Sequence, residues 1–307
     1  MKGGKSKKRT LVLYSGGLDS ILAAKILEKQ GIDVTALTFV SYFFDAVQAE
    51  KSAAENNIKF IAKDFSKPHF EIVKNPKFGR GAGMNPCIDC HLLMLKVAKK
   101  IATQEGCDII ATGEVLGQRP MSQNAKALKL IEKEAGLVGK ILRPLSAKVL
   151  PETEYEKKGW VSREKLCGFS GRSRGGQMEL AKECKVKNHP SPAGGCILTD
   201  KEYSKKLSEL FEKVKNPGPA DIGVLRLGRH FWAGGVKIVL GRNHEENLAL
   251  KKIAEKDDTI VEPRGVPGPT ALIRGKNKKA IELAENNIKK YAKKIGNKHL
   301  EFVVLDV

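Results

Sequence analysis

Thr10-Leu-Val-Leu-Tyr-Ser-Gly-Gly-Leu-Asp-Ser20 is the stretch that decides the fold. Thr10 to Tyr14 is a short apolar run that predicts a strand, and Ile21 to Lys29 repeats apolar residues at helical spacing until Gly31 stops it. Between them, Ser15-Gly-Gly-Leu-Asp-Ser20 has the composition of a polyphosphate loop. Glycines let the backbone approach phosphate oxygens, the helix N-terminus offers unspent N–H groups, and serines add donors. Neither the Gly-Lys-Ser/Thr of a Walker A loop nor Gly-x-Gly-x-x-Gly is present in it. Asp19 does not favour an anion directly, so it points to Mg²⁺ bridging phosphates or to a helix cap.

Outward from this turn the pattern repeats. A strand is expected at 33–40, a helix at 45–56, a strand at 58–62, a helix at 91–104 and a strand at 108–113. Alternation of this kind implies a parallel sheet with helices on both faces. Residues 66–90 read as a long Pro/Gly/Asn loop, with the work of excluding water during reaction, and 150–200 as an irregular cysteine-containing segment. Asn216-Pro-Gly-Pro219 marks a boundary between a domain at 1–215 and one at 220–307. The second is read as strands at 224–232, 236–240, 259–261, 270–274 and 300–305, with helices at 245–255 and 278–294.

The chain has 307 residues and a formal charge of +20, with 55 Lys+Arg against 35 Asp+Glu. Both halves share the excess, 24 against 14 over residues 1–150 and 31 against 21 over the rest. Such a balance favours a polyanionic partner, RNA or DNA ahead of a membrane. No apolar run is long enough to span a bilayer, and the basic N-terminus leads into too few apolar residues for a signal peptide, so a cytoplasmic protein is expected.

Six cysteines, Cys87, Cys90, Cys107, Cys167, Cys184 and Cys196, then read as thiols, redox groups or metal ligands rather than a disulfide framework. Cys87-Ile-Asp-Cys90 fits a redox pair, half a zinc site or two ligands of an iron–sulfur cluster. Pro192-Ala-Gly-Gly-Cys196 offers a third thiol among small neighbours. Cys107 reads as a core residue, Cys167 and Cys184 as structural, with a four-cysteine zinc site as the alternative.

Ser15-Gly-Gly-Leu-Asp-Ser20 matches every position of the PP-loop ATP pyrophosphatase signature, and the sequence resembles that family. Cys87-Ile-Asp-Cys90, Ala111-Thr-Gly-Glu114, Leu116-Gly-Gln-Arg-Pro-Met-Ser-Gln123 and Arg143-Pro-Leu145 resemble elements of its tRNA thiouridine synthetases, the 2-thiouridylases and 4-thiouridine synthetases. Glu114 departs from the His that many relatives carry after Thr-Gly. The resemblance covers residues 10 to about 200 and implies a Rossmann-like α/β domain that binds ATP with Mg²⁺ at Ser15, Gly16, Gly17, Asp19 and Ser20. Thr38, Phe39 and Gly113 are further nucleotide candidates, with core packing the other reading of Thr38 and Phe39.

It further implies catalysis by Asp19, Cys87, Cys90 and Cys196, the three thiolates holding a [4Fe-4S] cluster or, without a cluster, passing a persulfide between them. The implied reaction is adenylation of a uridine carbonyl followed by sulfur replacement. The alternative is a pyrophosphatase acting on a small acid or amide. Arg119, Arg143, Arg172 and Arg174 are expected RNA contacts.

Val239-Leu-Gly-Arg-Asn-His-Glu-Glu-Asn247 and Gly265-Val-Pro-Gly-Pro-Thr-Ala-Leu-Ile273 resemble the RNA-binding domain of the NFACT proteins. This implies a smaller α+β domain holding tRNA or another structured RNA through Arg229, Arg242 and Asn243, with His230 and Trp232 as further candidates. Asn243 as a helix cap and Trp232 as core are the competing readings. A sulfur donor is required as a partner, and a homodimer is compatible with the sequence.

Overall fold

In the computed structural model, β1 (Arg9–Leu13) leads through a four-residue turn into α1 (Leu18–Glu28), then β2 (Asp33–Val40), α2 (Val47–Glu55) and β3 (Lys59–Asp64). The structure describes residues 7–186, 188–189, 196–292 and 300–307. Next come α3 (Ser66–Lys74), α4 (Cys87–Gln104), β4 (Ile109–Thr112), α5 (Ala125–Ala135), the short α6 (Glu154–Lys157) and α7 (Gly175–Glu183). The four strands form one parallel sheet in the order β3-β2-β1-β4, as the βα alternation implies.

Alternate residues of each strand feed different cores. Val12, Val34, Ala36, Ile109 and Ala111 pack with Ile21 and Leu22 of α1 and Ala181 of α7. Leu11, Leu37, Phe39 and Ile110 pack with Leu92, Leu95 and Ala98 of α4 and Ile131 of α5. Leu13 pairs in register with both Leu37 and Thr112, so the turns leaving β1, β2 and β4 emerge at one edge. That edge is where ligands sit in open α/β sheets.

The stretch 66–90 is not one loop. Its first third is α3, which buries His69, Phe70 and Val73. The following segment is pinned to α4, because buried Asp89 accepts from the Lys77 and Phe78 amides at 3.0 Å each.

The chain divides into units 1–197 and 198–307, so the boundary falls before, not at, Asn216–Pro219. Helix α8 (Lys201–Lys213) buries Tyr203, Leu207 and Leu210 and belongs with the second unit. After α9 (Pro219–Gly223), the expected strand at 224–232 starts as a 3-10 turn, Val224–Arg226, with Val224 and Leu225 buried. Then follow β5 (Arg229–Ala233), β6 (Val236–Leu240), α10 (His244–Ile253), β7 (Thr259–Pro263), β8 (Ala271–Ile273), α11 (Lys278–Tyr291) and β9 (Phe302–Asp306). Residues 293–294 of the helix expected at 278–294 lie outside the described residues. The strands form an antiparallel sheet, β5-β6-β8-β7-β9. Ala280, Ala284 and Ile288 of α11 pack on one face, and Leu250 of α10 with Val224 on the other. No helix among the described residues is long and apolar enough to cross a membrane.

Candidate active site and nucleic-acid interface

The turn after β1 is held from both sides. The Tyr14 amide donates to Leu37 O at 2.8 Å, and Thr38 Oγ1 donates to the Tyr14 carbonyl. Gly16 has φ +72°, and a Cβ there would come within 2.8 Å of Ala49 Cα and Gln48 O of α2. Only glycine fits both demands. Gly17 caps α1 with no side-chain hydrogen bond, Ser20 Oγ donates to Gly17 O at 2.8 Å, and the Ser15 amide donates to Ser20 Oγ at 3.3 Å. Gly113 crosses directly over this helix start: a Cβ would sit 2.7 Å from Asp19 C and from the Ser20 backbone. Ser15, Gly16, Gly17, Asp19, Ser20 and Gly113 are thus brought together. Thr38 braces the turn from behind. Phe39 is 5% exposed with its ring 4.8 Å from that of Phe65, so its side chain packs in the core.

Asp19 is tied to two later segments. Gln118 Nε2 donates to its Oδ2 at 2.7 Å, Arg174 Nη2 lies 3.6 Å from the same oxygen, and Gln177 Nε2 donates to Gln118 Oε1 at 3.2 Å. Asp19 Oδ1 is buried and has no hydrogen-bond partner among the described residues. A carboxylate oxygen without another partner is the kind of hard donor that Mg²⁺ takes, so Asp19 Oδ1 fits that ion. Arg174, expected on RNA, is thus placed beside the turn, within ion-pair distance of Asp19. Arg119 and Arg172 are exposed.

The thiols gather beside the start of α4. Cys87 Sγ donates to Asn85 Oδ1 at 3.1 Å. Burial raises its pKa, while Asn85, Arg119 and Ser122 act against that rise. Cys90 is pushed far up by burial and then by the charges of Cys196, Cys87 and Asp89, which places Cys196 within electrostatic reach of the pair. Pro192–Gly195, the small neighbours of Cys196, lie outside the described residues. Among the described residues no three His, Cys, Asp or Glu side chains form a group able to hold a metal. Among the described residues the donor set therefore does not match a single-ion site such as zinc. Cys167 and Cys184 pack against the α1 side of the sheet and Cys107 against the α4 side, so they do not complete a four-cysteine zinc site.

Arg143 corrects another expectation. It is 4% exposed, with Nε 2.9 Å from Glu114 Oε2 and Nη1 bonded to Glu132, so no RNA phosphate reaches it. Glu114 also receives Thr112 Oγ1 at 3.0 Å and has His91 Nδ1 at 2.8 Å. Burial would raise the Glu114 carboxyl, but Arg143 and then His91 hold it at about 2. Glu114 thereby fixes His91, one residue beyond Cys90. Gln118, Gln177, Asp89 and His91 carry no signature as separate letters; only their positions inside the quoted motifs or near Arg174 mark them.

In the second unit, Arg229 lies over the Tyr291 ring at 4.4 Å. Arg242 is exposed and its Nε meets both oxygens of Glu246 at 2.9 and 3.0 Å. Asn243 Oδ1 accepts from the Glu246 amide at 2.9 Å, so its side chain caps α10. Arg242, Asn243 and Tyr291 line one cleft of about 600 Å³ with Lys251 and Pro267. His230 Nε2 bonds Leu227 O at 2.7 Å, and burial holds the ring neutral, with a pKa down at about 3.

Residues 5–149 match the family described as thiamine biosynthesis protein (ThiI), and residues 228–306 the NFACT protein RNA binding domain. A tRNA-specific 2-thiouridylase MnmA 3 of Bacteroides fragilis is 35% identical over 35% of this chain and 31% of its own. A probable tRNA sulfurtransferase of Finegoldia magna is 33% identical over 46% of this chain and 37% of its own. A crystal structure of a 4-thiouridine synthetase–RNA complex with bound ATP aligns at 20% identity and a TM-score of 0.37, over 58% of this chain and 52% of that one. The chain thus spans about a third of the length of these two curated relatives. The likeness is therefore of two stretches, residues 5–149 to the ThiI family and residues 228–306 to the NFACT protein RNA binding domain.

Proposed function

We propose that this protein uses ATP to activate a uridine carbonyl in tRNA and replaces its oxygen with sulfur. One juxtaposition carries the reading. A phosphate turn with an unpaired buried carboxylate oxygen, Asp19 Oδ1, shares the first unit with Cys90, whose thiol feels the charges of both Cys87 and Cys196. The names of the relatives, 2-thiouridylase and tRNA sulfurtransferase, support it.

ATP phosphates would lie on the turn 15–20, whose glycines bring backbone close and whose helix start favours negative charge. Mg²⁺ would be held at Asp19 Oδ1 and would neutralise phosphate charge. Gln118 and Arg174 keep that carboxylate in place. The uridine oxygen attacks the α-phosphate and pyrophosphate leaves, because oxide by itself does not leave. The terminal sulfur of a persulfide on one of Cys87, Cys90 or Cys196 then attacks the ring carbon, and AMP departs with the oxygen. A second cysteine attacks the resulting disulfide, frees the thiouridine and leaves a cysteine disulfide that an external thiol reduces. The first sulfur comes from a persulfide-bearing donor. Iron analysis of anaerobically prepared protein separates this persulfide chemistry from a cluster-based one: none per chain against about four irons. The second unit would hold the RNA through Arg229 and Arg242, with Arg119 and Arg172 as contacts on the first.

The deciding experiment is nucleoside mass spectrometry of tRNA incubated with the protein, Mg-ATP and a persulfide donor. A nucleoside with sulfur in place of oxygen, absent with Asp19→Asn, is expected. ATP cleavage without any thionucleoside would overturn the proposal in favour of a small-molecule substrate.

A further inference from the structure

A second cavity of the C-terminal unit, about 300 Å³, is not lined by Arg229, Arg242 or Asn243, but it includes Trp232, a further RNA candidate of the sequence. Trp232 and Lys237 line it and are register partners across β5 and β6, so they stand side by side on one face of the sheet. Lys237 is 2% exposed, yet its Nζ meets no hydrogen-bond acceptor among the described residues, and neither does Trp232 Nε1. Lys237 Nζ lies 4.7 Å from the Trp232 ring centre and Lys213 Nζ 5.1 Å from it.

Two of the three carboxylates of the cavity wall, Asp221 and Asp258, are already spent, and the third, Asp257, is exposed. Asp221 Oδ1 and Asp258 Oδ2 accept from Arg274 at 3.0 and 2.5 Å, Asp221 Oδ2 takes the Gly218 amide at 2.7 Å, and Asp258 Oδ2 takes the Glu255 amide at 2.8 Å. Burial pushes the Lys237 ammonium down to about 8, with Lys206 and Lys213 adding to the push and Glu209 and Asp221 opposing it. It stays mostly protonated at neutral pH. The buried side-chain groups of the wall without a partner among the described residues are therefore two hydrogen-bond donors, Lys237 Nζ and Trp232 Nε1, with Lys256 and the exposed Asp257 lining the same space. A buried polar group without a partner is rare in folded proteins, and a cavity that leaves two donors open calls for a ligand rich in acceptor oxygens.

We infer that this cavity binds a phosphate group, with Lys237 Nζ and Trp232 Nε1 as its donors. A phosphate presents three or four acceptor oxygens and the negative charge that Lys237 lacks. That the phosphate belongs to an RNA strand rests on the RNA reading above; that the cavity takes a phosphate does not.

The chain has two tryptophans, so Trp160→Phe leaves Trp232 as the sole fluorescent reporter. This variant of the full chain is titrated with inorganic phosphate, uridine 5′-monophosphate, uridine and a single-stranded oligouridylate. Phosphate and the monophosphate should change the emission saturably, and uridine should not. Lys237→Met, close in length and uncharged, should melt no lower than the parent and bind phosphate at least tenfold more weakly. If Lys237→Met does not fold, Trp232→Phe keeps the ring without the N–H and should lose most of the phosphate-induced rise in Tm. No saturable response to phosphate, or an equal one in these variants, overturns the proposal. Oligouridylate that displaces phosphate identifies RNA as the source. RNA that binds without displacing it assigns the cavity to free phosphate while the RNA reading stands, and a chain that binds phosphate but no RNA ends that reading alone.

Discussion

Gln118 Nε2 donates to Asp19 Oδ2 at 2.7 Å, and Gln177 donates in turn to Gln118 at 3.2 Å. The phosphate turn is thereby tied to α7. Asp19→Asn keeps the shape but removes the charge that would hold Mg²⁺, and should lower RNA-stimulated pyrophosphate release by about a hundredfold or more. Gln118→Ala should raise the KM for ATP several-fold with a smaller loss in kcat, since it only releases the carboxylate. Pyrophosphate assays over a range of ATP concentration check both.

Gly113→Ala is a packing test. The added methyl meets backbone, not a flexible side chain, 2.7 Å away at Asp19 and Ser20. The helix start must move, at a cost of about 1–3 kcal/mol. Loss of stability in urea together with weaker ATP binding is the expected result; weaker binding alone would show that the methyl displaces nucleotide rather than helix.

Glu114→Gln takes one anion from buried Arg143 and should cost about 3 kcal/mol at pH 7. Glu114 is held at about 2 in the folded chain against 4.5 ordinarily, so its contribution is present above 4.5 and is lost as pH falls toward 2. The stability gap between parent and variant should narrow across that window, as urea melts at pH 7, 4 and 3 would show.

His69 acts in the adjoining window. It is 1% exposed, its Nδ1 lies 2.9 Å from Ser41 Oγ, and burial holds its pKa at about 4. Below its ordinary 6.5 the unfolded chain takes up a proton that the folded chain refuses, so stability falls as pH drops from 6.5 to about 4, by at most about 3 kcal/mol. His69→Phe, within a cluster that already contains Phe43, Phe44 and Phe65, should lose less between pH 7 and 4.5 than the parent.

RNA affinity should fall linearly with salt on logarithmic axes, by about 0.7 per phosphate contact for a single strand. Arg242→Gln and Arg229→Gln should each flatten that slope, whereas Arg143→Gln should destabilise the fold and leave the slope of the remaining folded protein as it was.

The sheet was legible because both its faces are covered, so its strands read as short apolar runs bounded by turn residues. The phosphate turn was legible because its chemistry is local. Helix α3 was not, since Pro68 resembles a loop residue, yet it occupies the first helical turn, where no intrahelical N–H is needed. Asn216–Pro219 suggests a domain boundary because prolines punctuate a sequence, whereas the apolar side of α8 decides which unit it joins. Arg143 reads as a surface cation until Glu114 and Glu132 are folded onto it. Gln118 and Gln177, 59 positions apart, meet only in space.

The two cores of the parallel sheet divide its labour. Helix α1, which begins at the phosphate turn, packs on one face with α7, whereas α4, which begins at Cys87, packs on the other. The strands form a common wall with independent furnishings on each side. A substitution among Leu92, Leu95 and Ala98 reshapes the ground beneath the thiols without entering the packing under the turn. One half of the chemistry can therefore be altered by selection or by design while the other keeps its footing.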